Sequence, residues 1–153
     1  MSYSPNFVGA NGKGSSRSLV TGYQNGEAFT LFQGQPVSVN TSGQMLHVDV
    51  TSDSSVAGII GVIIADTVTT ANGLVLDAGR LENITTPFSI GDAIYVNTDG
   101  SLMNVRPDIG VQYGTASTFA QGDYVVFIGV IVQNQFDPTK IDLKVYLDVV
   151  GQL

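Results

Sequence analysis

Gly34-Gln35-Pro36-Val37-Ser38-Val39-Asn40-Thr41-Ser42-Gly43-Gln44-Met45-Leu46-His47-Val48 lies without gaps on Gly91-Asp92-Ala93-Ile94-Tyr95-Val96-Asn97-Thr98-Asp99-Gly100-Ser101-Leu102-Met103-Asn104-Val105. Gly34 meets Gly91, Val39 meets Val96, Asn40-Thr41 meets Asn97-Thr98, and Gly43 meets Gly100. Each copy reads as a β-hairpin. The Asn-Thr-x-Gly between its arms suits a type I turn followed by glycine in the left-handed region, where a side chain would be strained. Each hairpin then leads to an apolar strand, Ile60-Gly61-Val62-Ile63-Ile64 in the first copy and Ile128-Gly129-Val130-Ile131-Val132 in the second. Common turn chemistry alone would explain two similar hairpins but not the matching strand after each, so the reading is an internal duplication. One hairpin plus one strand cannot bury its own apolar face. The two copies are therefore expected to pack together as a small β-barrel or β-sandwich.

The rest of the chain reads the same way from Glu27 onward, strand after strand between Gly, Asn and Pro punctuation. Ile141-Asp142-Leu143-Lys144-Val145-Tyr146-Leu147-Asp148-Val149 has aliphatic residues at odd positions and mostly polar ones at even positions, the period of a strand with one face on a core. That pattern puts Asp142 and Asp148 on the polar face. Gln44 to Val50 alternates likewise, with Leu46, Val48 and Val50 on one face and Met45, His47 and Asp49 on the other. Val56 to Ile64 and Tyr124 to Val132 are apolar on both faces and are expected to be central, doubly covered strands. The longer second copy leaves room around Ile109 to Gln121 for a further strand or a loop. No amphipathic helix of ten residues is visible, and only Asp66 to Ala71 has room for one helical turn.

The 153 residues suit one domain with a single core, and the absence of cysteine removes disulfides and thiolate metal sites. Charged residues make up only 12% of the chain, yet the net charge is −7. Ser, Thr, Asn, Gln and Gly must therefore dominate the surface, which suits protein contact and disfavours phosphate backbones, so no nucleic-acid partner is expected. No run approaches the roughly 18 apolar residues of a membrane helix, and no secretory signal opens the chain, so a soluble protein made in a cytoplasm is expected. Charge is unevenly placed: the first 26 residues hold Lys13 and Arg17 and no acid, whereas all thirteen Asp and Glu follow. Residues 1–25, rich in Ser, Gly and Asn, read as an extended N-terminal arm, and residues 26–153 as one β domain. Tyr3, Phe7, Val8 and Leu19 are too apolar for a pure linker. With Lys13 and Arg17 they are the candidate partner-binding residues.

Catalytic chemistry finds few footholds. His47, the only histidine, lies mid-strand without a nucleophile-elbow motif nearby, and reads as a half-exposed imidazole on a sheet face. Asp92 and Asp123 each follow glycine at the start of a strand, where aspartate hydrogen-bonds nearby backbone. Asn97-Thr98-Asp99-Gly100 is too short for a calcium loop, and no glycine-rich phosphate loop opens a helix. Phe29, Phe32, Phe88, Phe119 and Phe127 read as core or interface anchors. The expectation is a non-enzymatic protein without metal or cofactor.

Gly91-Asp92-Ala93-Ile94-Tyr95-Val96, Gly122-Asp123-Tyr124-Val125-Val126 and Ile128-Gly129-Val130-Ile131 together resemble the body of the head decoration, or cement, proteins of tailed bacteriophages. The resemblance spans roughly Gly34 to Val132. It implies a virion structural protein on the outer capsid surface, commonly a homotrimer, that binds the major capsid protein and clamps neighbouring subunits against internal DNA pressure. Tail-fibre and appendage proteins share these β patterns, and the alternative they imply is binding of a host-surface receptor or glycan.

Overall fold

The computed structural model describes residues 20–153, and these form an all-β body built from two antiparallel sheets. In chain order the elements are β1 (Val20–Gln24), β2 (Pro36–Val39), β3 (Met45–His47), α1 (Asp53–Ala57), β4 (Ile59–Ile63), β5 (Asn72–Leu76), β6 (Gly79–Leu81), β7 (Ala93–Val96), β8 (Leu102–Met103), β9 (Tyr124–Gln133) and β10 (Ile141–Gln152). One sheet has the order β1-β5-β4-β2-β3 and the other β6-β10-β9-β7-β8. Adding five to every strand number of the first gives the second. The duplication therefore covers every strand of the described chain, beyond the hairpin and strand visible in sequence.

It extends to individual hydrogen bonds. The Gly34 N–H donates to the Ile63 carbonyl at 2.8 Å, and the Gly91 N–H to the Ile131 carbonyl at 2.8 Å. The turns close alike, through Gly43 N–H to the Asn40 carbonyl at 3.0 Å and Gly100 N–H to the Asn97 carbonyl at 2.9 Å, with φ of 78° and 81° at the two glycines. A register shift falls between Val37 and Ser38 where β2 meets β4, and between Ile94 and Tyr95 where β7 meets β9. Such bulges bend and twist a strand, so both sheets curve at the same place. Close approach explains the shared Ile-Gly-Val-Ile. A Cβ on Gly61 would stand 2.4 Å from the Leu76 carbonyl oxygen, and one on Gly129 would stand 2.0 Å from that of Lys144.

The main core lies between the sheets. Val62 and Leu76 of the first pack there with Leu81, Ile94, Val126, Ile128, Ile131 and Leu143 of the second, and Val48, Val50, Val56 and Phe119 from outside the strands join the same cluster. Leu31, Val37, Met45, Ile63 and Val75 form a smaller cluster. The barrel is not closed, and the arrangement is that of a sandwich.

Several sequence expectations need correction. Val56 and Ala57 belong to α1, not to a strand through Ile64. The Ser52 side chain accepts from the Ser55 N–H at 3.3 Å, the backbone N–H of Gly58 bonds back to the Ser54 carbonyl, and only then does β4 begin. The helical turn is thus here, whereas Asp66–Ala71 is non-helical. Met45 is fully buried rather than on a polar face, because the smaller cluster covers that side of β3. Asp142 is also fully buried. Of the two alternatives for residues 109–121, a strand or a loop, the structure has the loop, which carries Phe119 into the core. Within the stretch read as an arm, Val20–Gln24 is β1, paired with β5 over five residues.

Candidate functional site

Tyr3, Phe7, Val8, Lys13, Arg17 and Leu19, the residues that sequence reading singles out for partner binding, lie outside the described residues. What the described part brings together are two shallow depressions in which polar and apolar surface mix.

The first, of about 620 Å³, surrounds His47 beside β2 and β3 and includes Glu27, Asp49, Ser38 and Ser55. The His47 Nδ1 meets the Glu27 carboxylate, which also accepts the His47 backbone N–H at 2.9 Å. The Phe29 ring lies 5.6 Å away by centroid, and the tight turn at Gly100 presses against the imidazole. His47 thereby ties the loop after β1 and a turn of the second sheet to β3. The serines are engaged elsewhere. Ser55 Oγ accepts the Asp49 N–H at 2.9 Å and lies 3.2 Å from Ser38 Oγ, while Ser52 Oγ caps α1. A serine nucleophile needs its base within hydrogen-bond reach, and no hydroxyl bonds the imidazole among the described residues.

The second depression, of about 570 Å³, lies where β6 meets β10 and includes Arg80, Glu82, Gln135, Lys144 and Tyr146. An exposed aromatic ring beside planar polar groups is the kind of surface that sugars use. Here the Lys144 ammonium already sits 5.2 Å from the centre of the Tyr146 ring. Arg80 is turned inward, its Nη1 2.9 Å from Asp142 Oδ2.

The other carboxylates serve backbone. Asp92 accepts the Ser89 N–H at 2.9 Å and Asp123 the Ala120 N–H at 2.8 Å, so both Gly-Asp turns are built as their sequence suggests. The bond from Ser89, then one from the Asn104 amide, holds the Asp92 carboxyl below the usual range. Hydrogen bonds from Thr139 do the same for Asp137. The Tyr124 hydroxyl donates to Asp53 at 2.8 Å, and that bond, with burial and the carboxylate's charge, raises its pKa. Of the phenylalanines, Phe119 is a core anchor, Phe88 packs against the core, and Phe127 meets Tyr95 edge-on at 5.5 Å. Phe29 and Phe32 are exposed, as is Phe136, which sequence reading did not single out.

No protein-family model matches the chain, and neither a curated protein nor a solved structure matches it.

Proposed function

We propose that this chain is a virion structural protein that decorates the outer surface of a phage capsid, bridging neighbouring major capsid subunits as a homotrimer and catalysing no reaction. The observation that carries this reading is the two-sheet body duplicated strand for strand, in which the polar side chains of both depressions hold loops and turns in place. Glu27 and His47 clasp a loop, Arg80 and Asp142 join β6 to β10, and Asp92 and Asp123 brace turns. Such a body is a rigid platform. The motif resemblance points the same way, and so does a segment with apolar and basic residues that enters the body at an edge strand, β1.

Each apolar side chain buried at a partner surface contributes about 1.5 to 3 kcal/mol. Repetition over many sites on one shell would let modest contacts hold firmly. Tyr3, Phe7 and Val8 are the proposed anchors on a capsid subunit.

The test mixes the purified protein with undecorated shells and images them by negative-stain electron microscopy, with sedimentation for copy number. Replacing Tyr3, Phe7 and Val8 by serine should abolish shell binding while the far-ultraviolet circular dichroism stays that of the β body. Undiminished binding by that variant would remove the arm from the reading. Failure of the intact protein to bind shells, with binding to cell-surface glycans instead, would favour the appendage alternative.

A further inference from the structure

The two sheets fail to meet along one margin. On its β5 side, β4 is paired only at Val62 and Ile63, because β5 ends at Leu76 and the chain crosses through Asp77 and Ala78 into β6 of the other sheet. Among the described residues, Ile59 and Ile60 have no strand partner on that edge. β10 is in the matching position: β9 covers one side as far as Gln152, but β6 covers the other only from Leu143 to Val145. In the first sheet the equivalent strand, β5, is covered by β1 along its full length. The vacant stretch of β10 contains two register shifts, carries a φ of 25° at Leu147, and exposes Val149 by 41% and Val150 by 44%. Between these two edges lies a groove of about 250 Å³ lined by Val56, Ile59, Ile60, Val126, Leu147 and Val149.

Two carboxylates, Asp77 and Asp148, stand among the aliphatic residues of this groove, both exposed and neither in an ion pair among the described residues. The groove thus asks for an extended apolar segment carrying positive charge. Residues 1–19 have that composition, with Phe7, Val8 and Leu19 for the aliphatic lining, Lys13 and Arg17 for the carboxylates, and no acid. They also start in the right place, since Val20 is paired with Leu76, the residue before Asp77. Val8 lies twelve residues upstream of Val20, a reach of up to about 40 Å. A tether this short gives the segment a high effective concentration at its own groove. Strand addition to a vacant edge is a general mode of peptide capture.

We infer that the β4–β10 groove is a docking site for the N-terminal segment of the same chain, held by aliphatic packing and by Lys13 and Arg17 against Asp77 and Asp148. It latches the segment to the body of the free protein, and Phe7 and Val8 would have to leave the groove to anchor on a shell. The inference does not rest on shell binding and is tested on the free protein.

Hydrogen exchange of the intact chain, read by mass spectrometry on peptides from residues 1–19, decides it. The segment should be protected roughly tenfold or more over the same sequence as a free peptide, unchanged on dilution. Asp77→Lys with Asp148→Lys should remove that protection while amides of β9 stay protected, which verifies the fold. Adding Lys13→Glu and Arg17→Glu should restore it. Free-peptide exchange in the unaltered protein, or protection that survives the charge reversal, would overturn the site. Protection that fades on dilution would place the segment on a second copy and overturn the same-chain latch.

Discussion

Asp142 stands in the most regular strand of the sequence at a position whose alternation points outward, yet its carboxylate is sealed from solvent. The cause lies far away in sequence. The Asn83 N–H and the Asn134 amide each donate to Oδ1 at 2.9 Å, and Arg80 reaches Oδ2 at 2.9 Å, so the segment after β6 and the β9–β10 loop close over it. Burial pushes the carboxyl up, but the bonds from Asn134, Asn83 and Arg80 outweigh it and leave the pKa lowered. A carboxyl lowered on folding contributes stability that is present above its unfolded value, about 3.9, and is lost as pH falls through the folded value. Asp142→Ala leaves these donors without their acceptor and should cost about 3 to 5 kcal/mol at neutral pH. Urea unfolding at pH 7 and near pH 3 checks this. The variant's deficit should narrow on acidification, since the native protein then loses what the variant already lacks; an equal deficit at both pH values would refute the charge-based account.

At the level of elements, the two Asn-Thr-x-Gly turns offer a comparison in which the local sequence is nearly the same and the surroundings differ. Nothing lies within 4 Å of a Cβ built on Gly43, whereas one on Gly100 would stand 2.6 Å from the His47 ring. Gly43→Ala should therefore cost only the left-handed backbone penalty, about 1 to 2 kcal/mol. Gly100→Ala should add a steric term of about 1 to 3 kcal/mol, because the imidazole is pinned by Glu27. Thermal melts of the two variants side by side would show it, and equal losses would mean that the His47 clasp yields. This contrast also marks what a sequence discloses. Hairpin turns, the central β9 and the repeat were legible because turn chemistry and period-2 patterning are local. The helical start of Val56-Ala57 was hidden, since an apolar run has no period to distinguish a buried turn from a strand and the deciding cap is Ser52. β1 was concealed for another reason. Val20-Thr21-Gly22-Tyr23-Gln24 has weak alternation and becomes a strand by pairing with Asn72–Leu76, about fifty residues away. Of the candidate sites, His47 was legible as a half-exposed imidazole on a sheet, but its partner Glu27 lies in a loop that no spacing rule connects to it.

For the molecule as a whole, duplication raises the question of whether the halves fold as two units or one. Each half contributes a complete five-stranded sheet, which alone would suggest independence. The packing argues otherwise. Val62 and Leu76 of the first half share a core with Ile94, Ile128 and Leu143 of the second, and without that partner each would face water. The crossing from β5 to β6 takes only Asp77 and Ala78, so neither sheet can separate without pulling on an end strand of the other. Gly100 of the second half also rests on His47 of the first. One cooperative transition is therefore expected, with a van't Hoff enthalpy equal to the calorimetric enthalpy in differential scanning calorimetry. Asp142→Ala, which alters only the second sheet, should lower the single transition temperature without splitting it. A second transition, or one that stays unmoved in that variant, would mean that the repeats are separate folding units and that the shared core contributes little to their cohesion.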